Sequence, residues 1–187
     1  MKKIIFLSMV CLFGFLCESS KEFDVWEFGM VRYENDLWKP DFDLSDFWID
    51  RTPEEYRAAM LTYSNIYEIP IKYVYGIISV ESNWNVNAIH WNKNLTVDCG
   101  LVQMNSQYWN YYKNLFFDGR EFSPFNPDNA IEFCFAYLDW LRDCFGGDIN
   151  KAIMAYNVGP GAVEKGRRLD IGNQYLEKVE KRVYFFN

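Results

Sequence analysis

Histidine is almost absent from this sequence: His90 is the only one in 187 residues. That excludes a histidine-built metal centre and leaves a Ser–His–Asp triad without support beyond one side chain. Positive charge is also short, with 19 Lys and Arg against 26 Asp and Glu. No basic stripe exists to neutralise phosphates, so nucleic acid is excluded as a partner. No phosphate-binding loop and no metal-ligand cluster occurs, and cofactor-free chemistry is expected. Long apolar runs are missing too. The longest, Ile4 to Leu16, is too short to span a bilayer comfortably. Half of the residues are nonetheless hydrophobic and 19% are aromatic, enough for a real core in one compact domain with a short appendage.

The start of the chain reads as a targeting segment. Lys2 and Lys3 precede the apolar run, and Glu18-Ser19-Ser20-Lys21 follow it, which is the layout of a signal peptide. Residues 1–19 are therefore expected to direct export to the periplasm or envelope. Two ends fit this segment. Cleavage after Ser19 uses Cys17-Glu18-Ser19 as a small-x-small site. Alternatively Cys17 is the lipid-modified cysteine of a membrane-anchored lipoprotein, although Gly14-Phe15-Leu16 before it matches that signal poorly. Removing the segment leaves Cys99, Cys134 and Cys144, an odd number that argues against a complete disulfide framework. Cys134 and Cys144 are expected on one helix, about 15 Å apart, beyond disulfide reach.

Residues 20–50 form an acidic, aromatic arm carrying Trp26, Phe28, Trp38, Phe42, Phe47 and Trp48. Residues 18–50 hold ten acids and three bases, whereas 51–187 hold sixteen and fourteen. The negative charge thus belongs to the arm. It has no clear period, and it reads either as an extended arm packed on the domain through its aromatics or as a spacer from the membrane, with docking of an envelope-assembly partner through residues 18–50 as a further role. The main domain, 51–187, opens at Thr52-Pro53-Glu54-Glu55, a cap followed by proline at the first helical position. Helices are expected from there to Tyr67, from Pro70 to about Ser82, from Ser106 to Asn114, from Asn126 to before Gly146, from Asp148 to about Tyr156, and from Gln174 to Tyr184. Residues 84–104 read as loop and 158–161 as a turn. No alternating strand pattern stands out, so the fold class is mainly α.

One carboxylate departs from the local pattern. Val74, Ile77, Ile78 and Glu81 fall at i, i+3, i+4 and i+7 and share one helix face. Glu81 therefore continues an apolar stripe, and it sits at a helix C-terminus, where the dipole disfavours negative charge. Both effects push a carboxyl toward the neutral form that a general acid requires. The competing reading is a surface glutamate whose head reaches water.

The neighbouring motifs bear on that choice. Glu81-Ser82-Asn83-Trp84 is followed by Asp98-Cys99-Gly100-Leu101-Val102-Gln103-Met104-Asn105, and later by Ala155-Tyr156-Asn157-Val158-Gly159. Together, in this order, they resemble the soluble lytic transglycosylase (SLT) domain family, glycoside hydrolase family 23, with its lysozyme-like helical fold and glycan groove. The Asp-x-Gly-Leu-x-Gln-x-Asn form is similar to a small, specialised branch associated with secretion and motility assemblies. The likeness extends over roughly residues 60–185.

The resemblance implies a peptidoglycan lyase. Glu81 would be the single acid/base that cleaves the MurNAc-β-1,4-GlcNAc bond and forms 1,6-anhydro-MurNAc. Tyr156 would hydrogen-bond Glu81, while Ser82, Gly100, Gln103, Met104 and Asn157 would line the groove, Gly100 by letting the backbone approach the sugar. Val102 stands where the family usually has Met. His90 stands where many members have a serine that touches substrate, and it reads equally as an exposed loop residue. Asn157 reads equally as a helix C-cap, and Met104 as core. Asp98 has two readings: a second carboxylate that positions water for a lysozyme-type hydrolase, or a loop-ordering residue that bonds nearby backbone N–H groups. Of Trp84, Trp91, Trp109, Tyr108, Tyr111 and Tyr112, one or two are expected to offer flat faces to sugar rings. A non-catalytic glycan-binding assembly protein on the same fold is the rival from another class.

Overall fold

The computed structural model describes residues 30–31, 39–40 and 45–184. The chain divides into two units between Asp43 and Leu44. In the first, strand β1 (Met30–Val31) pairs antiparallel with β2 (Lys39–Pro40). The targeting segment 1–19, Cys17, and the arm aromatics Trp26, Phe28, Trp38 and Phe42 lie outside the described residues.

The second unit begins earlier than the sequence pattern suggested. Helix α1 (Ser45–Arg51) places Trp48 in the core at 2% exposure, its ring 4.9 Å from that of Tyr75. The last residues of the acidic arm therefore belong to the domain. Thr52 does not cap forward as expected. Its hydroxyl donates back to the Trp48 carbonyl at 2.8 Å and closes α1. Pro53 starts a short 3-10 turn, Glu54–Tyr56, without a side-chain cap, and helix α2 (Arg57–Tyr67) follows.

Helix α3 (Ile71–Glu81) starts directly after Pro70, whose fixed φ suits a helix entrance. The apolar stripe read from the sequence faces inward: Val74, Ile77 and Ile78 are fully buried, each stabilising the fold by about 1.5–3 kcal/mol relative to exposure. The expected loop over 84–104 instead contains a small antiparallel sheet. Strands β3 (Ile89–Trp91), β4 (Val97–Cys99) and β5 (Met104–Asn105) pair in that order. Helix α4 (Trp109–Phe116) follows a 3-10 turn at Ser106–Tyr108.

Helix α5 (Pro127–Cys144) is the buried axis of the domain, lined by Ile131, Phe135, Leu138 and Leu141. Its cap is the one expected: Asn126 Oδ1 accepts the Asn129 N–H at 3.1 Å. Asp148 likewise caps helix α6 (Ile149–Val158) through the Lys151 N–H at 3.1 Å. The turn expected at 158–161 gives way after Gly159 to the short helix α7 (Pro160–Glu164). The last helix, α8 (Leu169–Tyr184), begins at Leu169 and not at Gln174. Cys134 and Cys144 share α5, and with Cys99 they are free thiols.

Helices α3 and α8 meet closely at Gly76. A Cβ there would lie 2.9 Å from both Val179 and Val183, so only glycine allows this approach. Val183, Val179 and Tyr175 lie four residues apart on α8 and form one stripe. With the valines against Gly76, the antiparallel run of the two helices carries Tyr175 to the C-terminal end of α3, where Glu81 stands.

Candidate active site

Helix α3 stops at Glu81 because the next turn is left-handed. Asn83 and Trp84 take φ of +50° and +66°, and Trp84 is held by stacking on Tyr56 and by an Nε1 bond to Ser79. Glu81 Oε1 accepts a 2.5 Å hydrogen bond from the Tyr175 hydroxyl. Burial pushes the Glu81 carboxyl up to about 7. The Tyr175 bond opposes that rise, the nearby charge of Asp98 adds to it, and Lys178 opposes it. Burial also raises the Tyr175 and Tyr156 phenols well above the usual range, so both remain donors at neutral pH.

This arrangement corrects one expectation. The phenol on Glu81 is that of Tyr175, not Tyr156. The Tyr156 hydroxyl donates instead to the Val102 carbonyl at 3.2 Å. It stacks parallel to Tyr175 with centroids 6.5 Å apart and stays close enough to feel the Glu81 charge. Tyr156 thus fixes the 100–103 loop beside the acid. Tyr175 carries no motif of its own; the signal available in the sequence was its place on the Val179–Val183 stripe.

Two residues expected to touch substrate hold the loop from behind. Ser82 Oγ donates to the Leu101 carbonyl at 2.8 Å, pinning the loop to the end of α3. Gly100 is buried, with φ +74°. A Cβ on it would fall 1.9 Å from the Pro124 carbonyl oxygen. Its small size therefore admits a protein backbone and not a sugar. Neither residue lines the groove described next.

Glu81 opens onto a groove of about 1070 Å³. His90, Asp98, Gln103, Met104, Tyr156 and Asn157 all line it. Gln103, at φ +48°, donates through Nε2 to the Gly100 and Ala88 carbonyls at 3.0 and 3.2 Å. Its Oε1 has no protein partner among the described residues. Asn157 is exposed and is not a C-cap, since α6 continues to Val158 and Gly159 ends it. Met104 is 2% exposed and serves the core while bordering the groove. His90 is exposed in β3, paired in register with Asp98.

Asp98 orders the sheet, though through side-chain amides where backbone N–H groups were expected. Oδ2 accepts from Asn92 Nδ2 at 2.9 Å, and Oδ1 from Asn105 Nδ2 at 2.7 Å. Asn105 also donates to Thr96 Oγ1 at 2.9 Å. Of the aromatics considered above, Trp91, Tyr108 and Tyr112 line the groove. Trp84 and Trp109 pack inward, the latter donating from Nε1 to the Met104 carbonyl. Among the described residues no group of three or more His, Cys, Asp or Glu could hold a metal ion.

A carboxyl still partly protonated near pH 7, beside a phenol donor and at the wall of a groove, can give a proton to a ligand oxygen and take one back. The model of the transglycosylase SLT domain matches residues 59–181. The chain belongs to the SLT domain family. The lysozyme-like helical fold of SLT domains recurs in solved structures. One is an inactive glutamate-to-glutamine mutant of lytic transglycosylase Slt from Pseudomonas aeruginosa, with TM-score 0.59, 21% identity, and 71% of this chain matching 24% of that one. Another is the 70 kDa soluble lytic transglycosylase from Escherichia coli, with TM-score 0.59, 23% identity, and 74% of this chain matching 25% of that one. A third is a 70 kDa soluble lytic transglycosylase in complex with bulgecin A, with TM-score 0.50, 23% identity, and 76% of this chain matching 21% of that one. This SLT chain thus spans about a quarter of the length of the structures it matches. No curated protein matches it.

Proposed function

We propose that the chain is a peptidoglycan lytic transglycosylase in which Glu81 is the single acid/base. The observation that carries this reading is the Glu81 carboxyl held by the Tyr175 hydroxyl at the wall of a groove of about 1070 Å³, where burial raises it to about 7. Membership of the SLT family supports the same chemistry. Glu81 gives its proton to the glycosidic oxygen between N-acetylmuramic acid and N-acetylglucosamine, and the bond to the anomeric carbon breaks. The muramic 6-hydroxyl oxygen bonds to that carbon, and its proton passes to the Glu81 carboxylate. A 1,6-anhydro end forms, no water is consumed, and the acid is regenerated. Tyr175 suits both halves of this cycle, because its donor strengthens against the carboxylate once the proton has left.

The lysozyme-type alternative assigns Asp98 the positioning of a water. Both of its oxygens already accept amide hydrogens from Asn92 and Asn105, and this engagement favours the anhydro route. The non-catalytic alternative has no use for a carboxyl whose acidity is weakened by burial at a groove wall, since burial without function costs stability.

Export belongs to the same proposal. Residues 1–19 direct the domain to the envelope where its substrate lies, with release after Ser19 or lipid anchoring at Cys17. The part of the acidic segment that precedes α1, residues 20–44, then docks an envelope-assembly partner. The decisive experiment is mass spectrometry of peptidoglycan digested by the purified protein and by Glu81→Gln. Anhydro-muropeptides from the parent and none from Glu81→Gln are expected. Reducing-end products, or equal digestion by both proteins, would overturn the assignment.

A further inference from the structure

Four of the described tryptophans are explained by packing. Trp48 is buried against Tyr75. Trp84 stacks on Tyr56 and bonds Ser79, and Trp109 bonds the Met104 carbonyl. Trp140 stacks on Tyr137 with centroids 5.8 Å apart. Trp91 differs from all of them. Its residue is 72% exposed, and among the described residues its ring has no aromatic neighbour and its Nε1 no acceptor. Yet it lines the groove that holds Glu81.

The strand beneath this indole is tied down by backbone and side-chain hydrogen bonds. Trp91 lies in β3 opposite Val97, and its neighbour His90 lies opposite Asp98. The residue after it, Asn92, receives the Leu95 N–H at its carbonyl and gives its own N–H to the Thr96 carbonyl. Its amide reaches both Asp98 and Thr96. A ring carried on such a support loses little freedom when a ligand lands on it. Polar groups stand alongside. Asn94 uses its Oδ1 for Thr96; among the described residues its Nδ2 has no acceptor and Lys93 makes no ion pair.

This combination fits a carbohydrate. A pyranose ring presents an apolar C–H face and a rim of hydroxyl and acetamido groups. A flat exposed indole takes the face, and neighbouring amide and ammonium donors take the rim. We infer that Trp91 is the platform of a saccharide-stacking subsite, holding one pyranose ring of a β-1,4-linked N-acetylated glycan in the groove. The inference rests on the glycan-cleaving reading and deepens it. It names a residue through which the groove reads the length of glycan bound.

The test measures binding separately from cleavage. The Glu81→Gln protein is titrated with N-acetylchitooligosaccharides of four to six units by calorimetry, then compared with Glu81→Gln/Trp91→Ala and Glu81→Gln/Trp91→Phe. Truncation to Ala is expected to weaken binding about 10-fold, equal to about 1.4 kcal/mol, with Phe recovering part of the loss. In the Glu81→Gln protein, the indole N–H resonance that disappears on Trp91→Ala shifts during the titration. With Glu81 intact, Trp91→Ala raises KM more than it lowers kcat. Equal affinities together with an unshifted indole resonance overturn the subsite, whatever else the exposed surface of Ile89, Trp91 and Leu95 binds. Binding that depends on Trp91 in a parent protein that cleaves nothing overturns the catalytic reading and leaves the subsite standing. Absence of any glycan binding overturns both.

Discussion

Tyr175 and Glu81 lie 94 positions apart in sequence and are joined by a 2.5 Å hydrogen bond in the fold. The contact depends on α8 running back along α3, and that approach depends on Gly76 leaving room for Val179 and Val183. The phenol favours the charged form of the acid, against the burial that favours the neutral one.

Tyr175→Phe keeps the ring and removes this donor. Glu81 is then expected to titrate above its present value of about 7. The acid must be protonated to act, so the alkaline limb of the pH–rate profile moves to higher pH. The maximal rate falls about 10–100-fold, the loss expected for a hydrogen bond of about 1.5–3 kcal/mol to a charged group. The profile of initial rates on purified peptidoglycan checks both effects. An unmoved alkaline limb would mean that the phenol does not set the acidity of Glu81.

A second expectation concerns stability. The folded-state carboxyl of Glu81 titrates near 7 and the reference value is 4.5. A raised value contributes stability that is fully present below about pH 4.5 and lost as the pH rises through 7. The parent should therefore become progressively less stable than Glu81→Gln across that window. The relative loss reaches about 3 kcal/mol above pH 7. Urea denaturation of both proteins from pH 4 to pH 8.5 measures it, and parallel curves would contradict it.

The helical frame and its acid were readable in the sequence for concrete reasons. Asn126 and Asp148 are strong caps and act as such. The Val74–Ile77–Ile78–Glu81 spacing names one face, and that face is buried as far as Ile78 and half-buried at Glu81. The strands escaped because each holds only two or three residues, too few for an alternation to register. Ser82 and Gly100 were assigned to the sugar because their motifs flank the acid, whereas packing assigns them to Leu101 and Pro124. Tyr175 was missed because its role comes from a helix–helix contact that no local window contains.

The glycine contacts make a further expectation. Gly76→Ala drives a Cβ to 2.9 Å from two valine methyls. It should cost about 1–3 kcal/mol as overpacking and displace Tyr175, so activity falls as well. Adding Val183→Ala should return part of both losses. Gly100→Ala meets a backbone oxygen and a positive φ together, has no side chain to yield, and should not be rescued by any single truncation. Thermal melts of the three variants beside their activities provide the comparison.

Asp98→Asn separates the two chemical routes. Removing its charge lowers the Glu81 titration point, since that charge raises it, and the alkaline limb of the rate profile moves down. The new amide also faces the donors of Asn92 and Asn105, so the sheet should lose about 1–3 kcal/mol of local stability. The product should remain the anhydro sugar. Loss of a water-derived product in this variant would instead assign Asp98 to hydrolysis.

The state of one carboxyl underlies all of these expectations, and it can be observed directly. Isotope-edited infrared or carboxyl-carbon NMR of the parent, with Glu81→Gln identifying the signal that vanishes, follows its titration. A midpoint near pH 7, moving upward in Tyr175→Phe, is the predicted result. A midpoint near 4.5, unaffected by Tyr175, would show an ordinary solvated glutamate and contradict its role as the acid.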